Sequence, residues 1–229
     1  MAVSIVQQTT AEWQTGAATE RTMVLTSVTA GNSIYVFAAR YATAWSSCSD
    51  DIDGSYTYIG QSGPGMYDDA WYLDDVTGGT TTVTVSGASA SYHWAIAVEV
   101  EGADSAGSLD DWSGVFQGGV APGTDVIIWD TVTTTVADGL ILAFNCNANS
   151  FGGNPLEAGT GYTMLKYTGG NAGAIEYKAA TSTGDYTPVM TTDASYWGWS
   201  NLAVAIKAPS AAGVTIPVIH HHLQNQGIS

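Results

Sequence analysis

Positive charge is the scarcest feature of this chain. Only five of its 229 residues are Lys or Arg, against 21 Asp and Glu, which leaves a formal net charge of −16. Clustered basic side chains are what neutralise a phosphate backbone and release its counterions, so nucleic acid is excluded as a partner. Anionic membrane surfaces are excluded for the same reason. Long apolar runs are also missing, and none reaches the roughly 20 residues of a membrane-spanning helix. The opening Met1-Ala2-Val3-Ser4-Ile5-Val6-Gln7-Gln8 has neither the basic nor the apolar region of a secretory leader, so synthesis in a reducing cytoplasm is expected. Cysteine is nearly absent. Cys48 and Cys146 are expected as two partly buried thiols, since neither has neighbouring ligands at finger-like spacing and nothing calls for a disulfide. Glu, Lys, Gln and Arg are too few for several amphipathic surface helices.

What is abundant is Thr, Val, Tyr and Trp, punctuated by 27 glycines. These are strand formers and turn formers, and the fold class they predict is all-β. The acidic surface keeps a crowded protein soluble or matches a basic partner.

The chain also repeats itself. Val28-Thr29-Ala30-Gly31-Asn32-Ser33-Ile34-Tyr35-Val36-Phe37 returns, shortened, as Val136-Ala137-Asp138-Gly139-Leu140-Ile141-Leu142-Ala143-Phe144. Tyr56-Thr57-Tyr58-Ile59 returns as Tyr162-Thr163-Met164-Leu165, and Ala95-Ile96-Ala97-Val98 as Ala203-Val204-Ala205-Ile206. The offsets, 136 − 28 = 108, 162 − 56 = 106 and 203 − 95 = 108, keep the echoes in register. Alternating apolar and polar residues predict strands near 3–8, 21–28, 33–42, 55–61, 68–74, 80–86 and 92–101 in the first half. The second half predicts 126–136, 139–147, 161–167, 173–181, 186–191 and 200–207. Pseudo-repeats near 20–102 and 125–208 are joined by a glycine-rich crossover, 103–124, expected to be irregular but anchored by Leu109, Trp112, Val115 and Phe116. Each half has one main apolar face, carried by Trp94, Ile96, Val98 and Val100 in the first and by Leu202, Val204 and Ile206 in the second. The expectation is a single large jelly-roll-like β-sandwich over 1–208 to which both halves contribute. Two separate small sandwiches are the alternative. An extended arm, 209–229, follows.

Several clusters invite chemistry. In the arm, His220-His221-His222 suggests a metal, but only His220 and His222 share a face of an extended chain, so docking is the better expectation. The docking residues are Val214, Ile216, Pro217, Val218, Ile219, His220, His221, His222, Leu223 and Ile228. Asp51 and Asp53 lie in Asp50-Asp51-Ile52-Asp53-Gly54-Ser55, a loose likeness of a calcium loop without its closing Glu. The second-half equivalent, Leu156 to Gly161, keeps glycine and loses the acids, which predicts a turn. Asp68-Asp69 and Asp74-Asp75 are expected as solvated strand edges. Glu99 and Glu101 project on one strand face roughly 7 Å apart, near a glycosidase separation. The opposite face is the apolar one, so both are expected in solvent and no enzyme is inferred. No Gly-x-Ser-x-Gly elbow occurs. No cofactor is called for. Trp71, Tyr72, Trp197 and Trp199 are the richest aromatic spots and the candidates for a sugar-stacking surface.

A family resemblance emerges from the order of these pieces. Val28 to Asn32, the turn Asp53-Gly54-Ser55-Tyr56-Thr57, Trp71-Tyr72, the run Val76 to Val85 and Val98-Glu99-Val100-Glu101-Gly102 follow one another. This resembles the jelly-roll, lectin-like β-sandwich domains of tailed-phage virion proteins and of some secreted bacterial adhesive modules, over roughly residues 20–208. The resemblance implies no catalytic residues. It implies a bacteriophage structural protein, a capsid decoration, head-fibre or tail component, assembled in the host cytoplasm into the virion. Its partners would be other virion proteins or copies of itself, and surface glycans if it is instead a carbohydrate- or receptor-binding module.

Overall fold

The computed structural model describes residues 1–63, 66–120, 126–146, 156–168, 173–192 and 196–210. No helix occurs among them; the described chain is strand and turn, as its composition requires. The first half supplies β1 (Ser4–Gln14), β2 (Ala18–Val28), β3 (Ser33–Tyr41), β4 (Ser47–Asp50), β5 (Thr57–Ser62), β6 (Met66–Leu73), β7 (Gly79–Ala90) and β8 (His93–Glu101). Then come β9 (Leu109–Val120), β10 (Val126–Ile128), β11 (Val132–Thr134), β12 (Gly139–Cys146) and β13 (Leu156–Glu157). The chain finishes with β14 (Thr163–Tyr167), β15 (Gly173–Ala180), β16 (Gly184–Tyr186), β17 (Val189–Thr192) and β18 (Tyr196–Ile206).

The duplication is written into the topology. One five-stranded antiparallel sheet runs β1-β8-β3-β6-β5, and a second runs β9-β18-β12-β15-β14 in the same relative order. Phe37 pairs with Ile96 and Ala70 in the first, and Phe144 with Leu202 and Ile175 in the second. The equivalence therefore sets Ile96 against Leu202, two positions from the sequence echo; a shift of two leaves the same side chains on the same face.

These two sheets pack face to face over one shared core. Tyr35, Phe37, Trp94, Ile96 and Val98 meet Leu140, Leu142, Phe144, Leu202 and Val204. Phe144 stacks on Phe37 with centroids 5.4 Å apart and on Trp94 at 4.6 Å, so the repeated halves touch through equivalent phenylalanines. Each such ring contributes about 1.5–3 kcal/mol by burial.

The expectation of a single apolar face per half is corrected. In the first sheet the opposite faces of β3 and β8, with Ile34, Val36, Ala38, Ala95 and Ala97, are buried as well, under Met23, Leu25, Val83 and Val85 of the sheet β2-β7-β4. In the second sheet, Asn201 points away from Phe144 and donates to the Ile128 carbonyl at 3.2 Å, so β10-β17-β13 covers that outer face. The result is a layered all-β sandwich whose two central sheets are buried on both sides. Small residues such as Ala95 and Ala97 permit the close outer layer, and their low hydrophobicity is what hid that second face in the sequence.

Residues 109–120, expected as irregular crossover, are corrected to the strand β9, hydrogen-bonded along β18. Gly114 serves close packing rather than turning: a Cβ there would lie 2.8 Å from the Gln61 carbonyl. The chain entering β9 is clamped by Asp74, which accepts from Ser33 Oγ at 2.6 Å and from Ser108 Oγ and N at 2.5 and 3.0 Å. Cys48 and Cys146 are both buried, in different cores, so no disulfide joins them.

Candidate functional site

The acidic loop does what its turn reading requires. Asp50 Oδ1 accepts the amides of Ile52, Asp53 and Gly54, and Gly54 takes φ +90°, a conformation that suits glycine. Asp53 holds the Thr77 amide at 3.0 Å and Asp51 the Thr82 amide at 2.7 Å. These carboxylates staple turns. No cluster of three or more metal-ligating side chains occurs among the described residues.

Three carboxylates expected in solvent are buried instead. Glu99 is fully buried, accepting Gln7 Nε2 at 2.6 Å, the Thr29 amide at 2.8 Å and Asn32 Nδ2 at 2.6 Å. It fastens the β2–β3 turn to the sheet, while Glu101 beyond it is exposed. Asp68 and Asp69 are not on an edge, because β6 lies between β3 and β5. Asp69 accepts the Trp45 amide at 2.8 Å, Tyr58 Oη at 3.1 Å and Gln61 Nε2 at 3.0 Å, yet burial still raises it to about 6. Asp68 lies in the shared core near the Ser62–Ser200 hydroxyl pair, 2.6 Å apart, and burial drives its acid far up, with the neighbouring Asp69 charge adding to the effect. The sequence hid this because an Asp pair on a strand is ordinarily a solvated pair.

The aromatic candidates fare differently. Trp71 and Trp199 are core residues, 2% and 0% exposed, and Tyr72 is half-buried on Tyr35 with ring centroids 5.7 Å apart. The Trp197 side chain lies outside the described residues, as does the arm with Val214, Ile216, Pro217, Val218, Ile219, His220, His221, His222, Leu223 and Ile228.

Among the described residues, two places stand out where side chains converge at the surface. The first is a cleft of about 550 Å³ between the chain entering β14 and β17, lined by Glu157, Gly159, Thr160, Tyr162, Thr187 and Val189. Beneath it Glu176 accepts the Gly159 amide at 2.8 Å, and burial lifts its carboxyl to about 7. Lys178 sits over the rings of Tyr162 and Tyr186, 5.1 and 5.7 Å from their centroids.

The second is an aromatic cluster where β1, β3 and β8 end side by side. Tyr92 packs on Trp13 with centroids 6.2 Å apart and meets Tyr41 edge-on at 6.1 Å. Tyr41 and Tyr92 are 44% and 41% exposed. Both are carried on strained turns: Tyr92 itself has φ +55° and Ala42, next to Tyr41, φ +65°. The fully buried Arg40 precedes Tyr41 on β3, and its guanidinium donates to the carbonyls of Thr43, Ala44 and Ala88 and stacks 4.2 Å from the Trp45 ring. His93 beside it meets the Gly16 carbonyl at 2.9 Å, and burial lowers its pKa, keeping it neutral. Of the tryptophan-rich spots that stand out in the sequence, Trp71 and Trp199 mark the core. The exposed cluster takes one ring from each of three distant segments, which only the sheet order brings together. The chain matches no family model, no curated protein and no solved structure.

Proposed function

We propose that this protein is a non-enzymatic structural subunit of a tailed-phage particle, a capsid decoration, head-fibre or tail component, that docks through residues 209–229. The observation that carries the reading is the double burial of both five-stranded sheets. A slab whose central layers are covered on both sides resists bending and suits a projecting building block. The described chain leaves this slab directly from β18, where the Lys207 amide donates to the Ser108 carbonyl at 2.8 Å and Ala208 is still buried. A segment that follows a firmly held strand can pull on its partner without unravelling the domain. The acidic surface, with −16 overall, favours a basic partner surface. The partners are other particle proteins or further copies of this chain.

The test is deletion of residues 211–229 in a particle-forming system. The truncated chain keeps its Tm and its β-type circular dichroism but is lost from purified particles. Incorporation at the full level without the segment, or collapse of the remaining domain, overturns the reading.

A further inference from the structure

We propose that the Trp13–Tyr92–Tyr41 cluster is a binding site for a neutral sugar ring. The proposal is independent of the assembly reading above. The apolar C–H face of a pyranose carries slight positive charge and complements the negative face of an aromatic ring. Three contacting rings at strand ends, two of them more than two-fifths exposed, offer such faces together. Hydroxyl- and amide-bearing neighbours in the chain, Gln14, Thr15 and Ser91, supply the polar fringe that sugar hydroxyls need.

The occupant's neutrality follows from the charges around the site. Glu12 is paired with Lys166 at 2.8 Å, and Arg21 donates to the Glu12 carbonyl. Arg40 is spent on three carbonyls, and His93 is neutral. Among the described residues the charged neighbours Glu12, Lys166, Arg21 and Arg40 each hold a partner within the fold, which favours an uncharged occupant, and the chain's −16 further repels acidic polysaccharides.

The site is also built in advance. Arg40 joins the loop after Tyr41 to the end of β7, His93 holds the β1–β2 turn, and the Tyr41 amide donates to the Tyr92 carbonyl at 3.2 Å. A Cβ on Gly87 would lie 2.5 Å from the Arg40 guanidinium, so the close fit depends on glycine there. Rigid rings on fixed turns lose little freedom on binding. Tyr92 is held at φ +55°, a conformation that Asn or Gly adopts more easily, so the turn keeps its tyrosine at a backbone cost.

The experiment is titration of the full chain, followed by tryptophan fluorescence and calorimetry. The probes are neutral gluco-oligosaccharides and N-acetylglucosamine oligomers, with oligosialic acid and tetramethylammonium as further arms. Saturable binding of a neutral oligosaccharide is expected, about tenfold weaker in Trp13→Ala and in Tyr92→Asn. It should be unchanged in Phe116→Ala, which removes an exposed ring elsewhere. Tyr92→Asn should shift Tm by no more than about 4 °C, because relief of strain offsets lost packing. Should Trp13→Ala fail to fold, Tyr41→Ala serves in its place. No binding of any neutral probe, binding confined to oligosialic acid or tetramethylammonium, or binding indifferent to the Tyr92 and Tyr41 variants overturns the proposal.

Discussion

Single residues in this protein are placed with little tolerance. A Cβ on Gly173 would lie 2.3 Å from the Trp94 indole, which is fully buried and stacked on Phe144, so neither partner can yield. Gly173→Ala should cost about 1–3 kcal/mol, read as a lowered midpoint in urea unfolding with the slope unchanged. Glu99 is a second such point. Its carboxylate accepts three donors, and Glu99→Gln puts an amide N–H where an acceptor was. The expected loss is about 1–3 kcal/mol in the same measurement. The alternation Ile96, Val98, Val100 read correctly as a core face, but it led to the wrong inference about the residues between. A strand with one apolar face need not show its other face to water when alanines and one well-bonded carboxylate line it. Asp68 and Asp69 were illegible for the same reason, since burial of a polar side chain depends on partners from elsewhere in the fold.

At the level of elements, the order of strands was more legible than their number. The two echoes around Phe37 and Phe144 located β3 and β12, and the structure shows them at the centre of equivalent sheets. The strand β9 escaped because Gly107, Gly114, Gly118 and Gly119 imitate the punctuation of a loop, whereas Gly114 is there to let β9 approach β5. Gly114→Val should force β9 away from the Gln61 carbonyl, costing about 1–3 kcal/mol and lowering hydrogen-exchange protection along β9 and β18 while leaving β2 and β7 protected. The short strand β4, four residues long, was also missed; with Ser47, Ser49 and Asp50 around Cys48 it has almost no apolar alternation to read.

For the whole molecule, the shared core makes the halves interdependent. Tyr35, Phe37, Trp94 and Ile96 have no cover without the second sheet, so calorimetry of the intact chain should give one cooperative transition. Residues 1–108 expressed alone should expose that face and bind a hydrophobic dye or self-associate; a monomeric, dye-silent fragment would contradict the shared core. Buried acids should set the pH dependence. Glu176 near 7, Asp69 near 6 and Asp68, also pushed well up by burial, keep their protons in the fold at pH values where the unfolded chain has released them. What these three acids contribute to stability is therefore fullest below the ordinary carboxylate range and is lost as pH rises from about 4 toward 7, by up to about 1.4 kcal/mol per pH unit for each group. Tm measured from pH 4.5 to 8 should decline, and Asp68→Asn should flatten that slope.

The placement of the two thiols has a practical consequence. Cys48, on β4, is buried between the outer sheet of the first half and the sheet below it, and Cys146 between the two duplicated sheets, so two of the three layer boundaries each carry a chemical reporter. Burial raises the Cys48 thiol far above the ordinary range, which keeps it unreactive while its layer stays shut. Alkylation of one cysteine before the other, followed by peptide mass mapping, would reveal which seam of the slab parts first under heat or force.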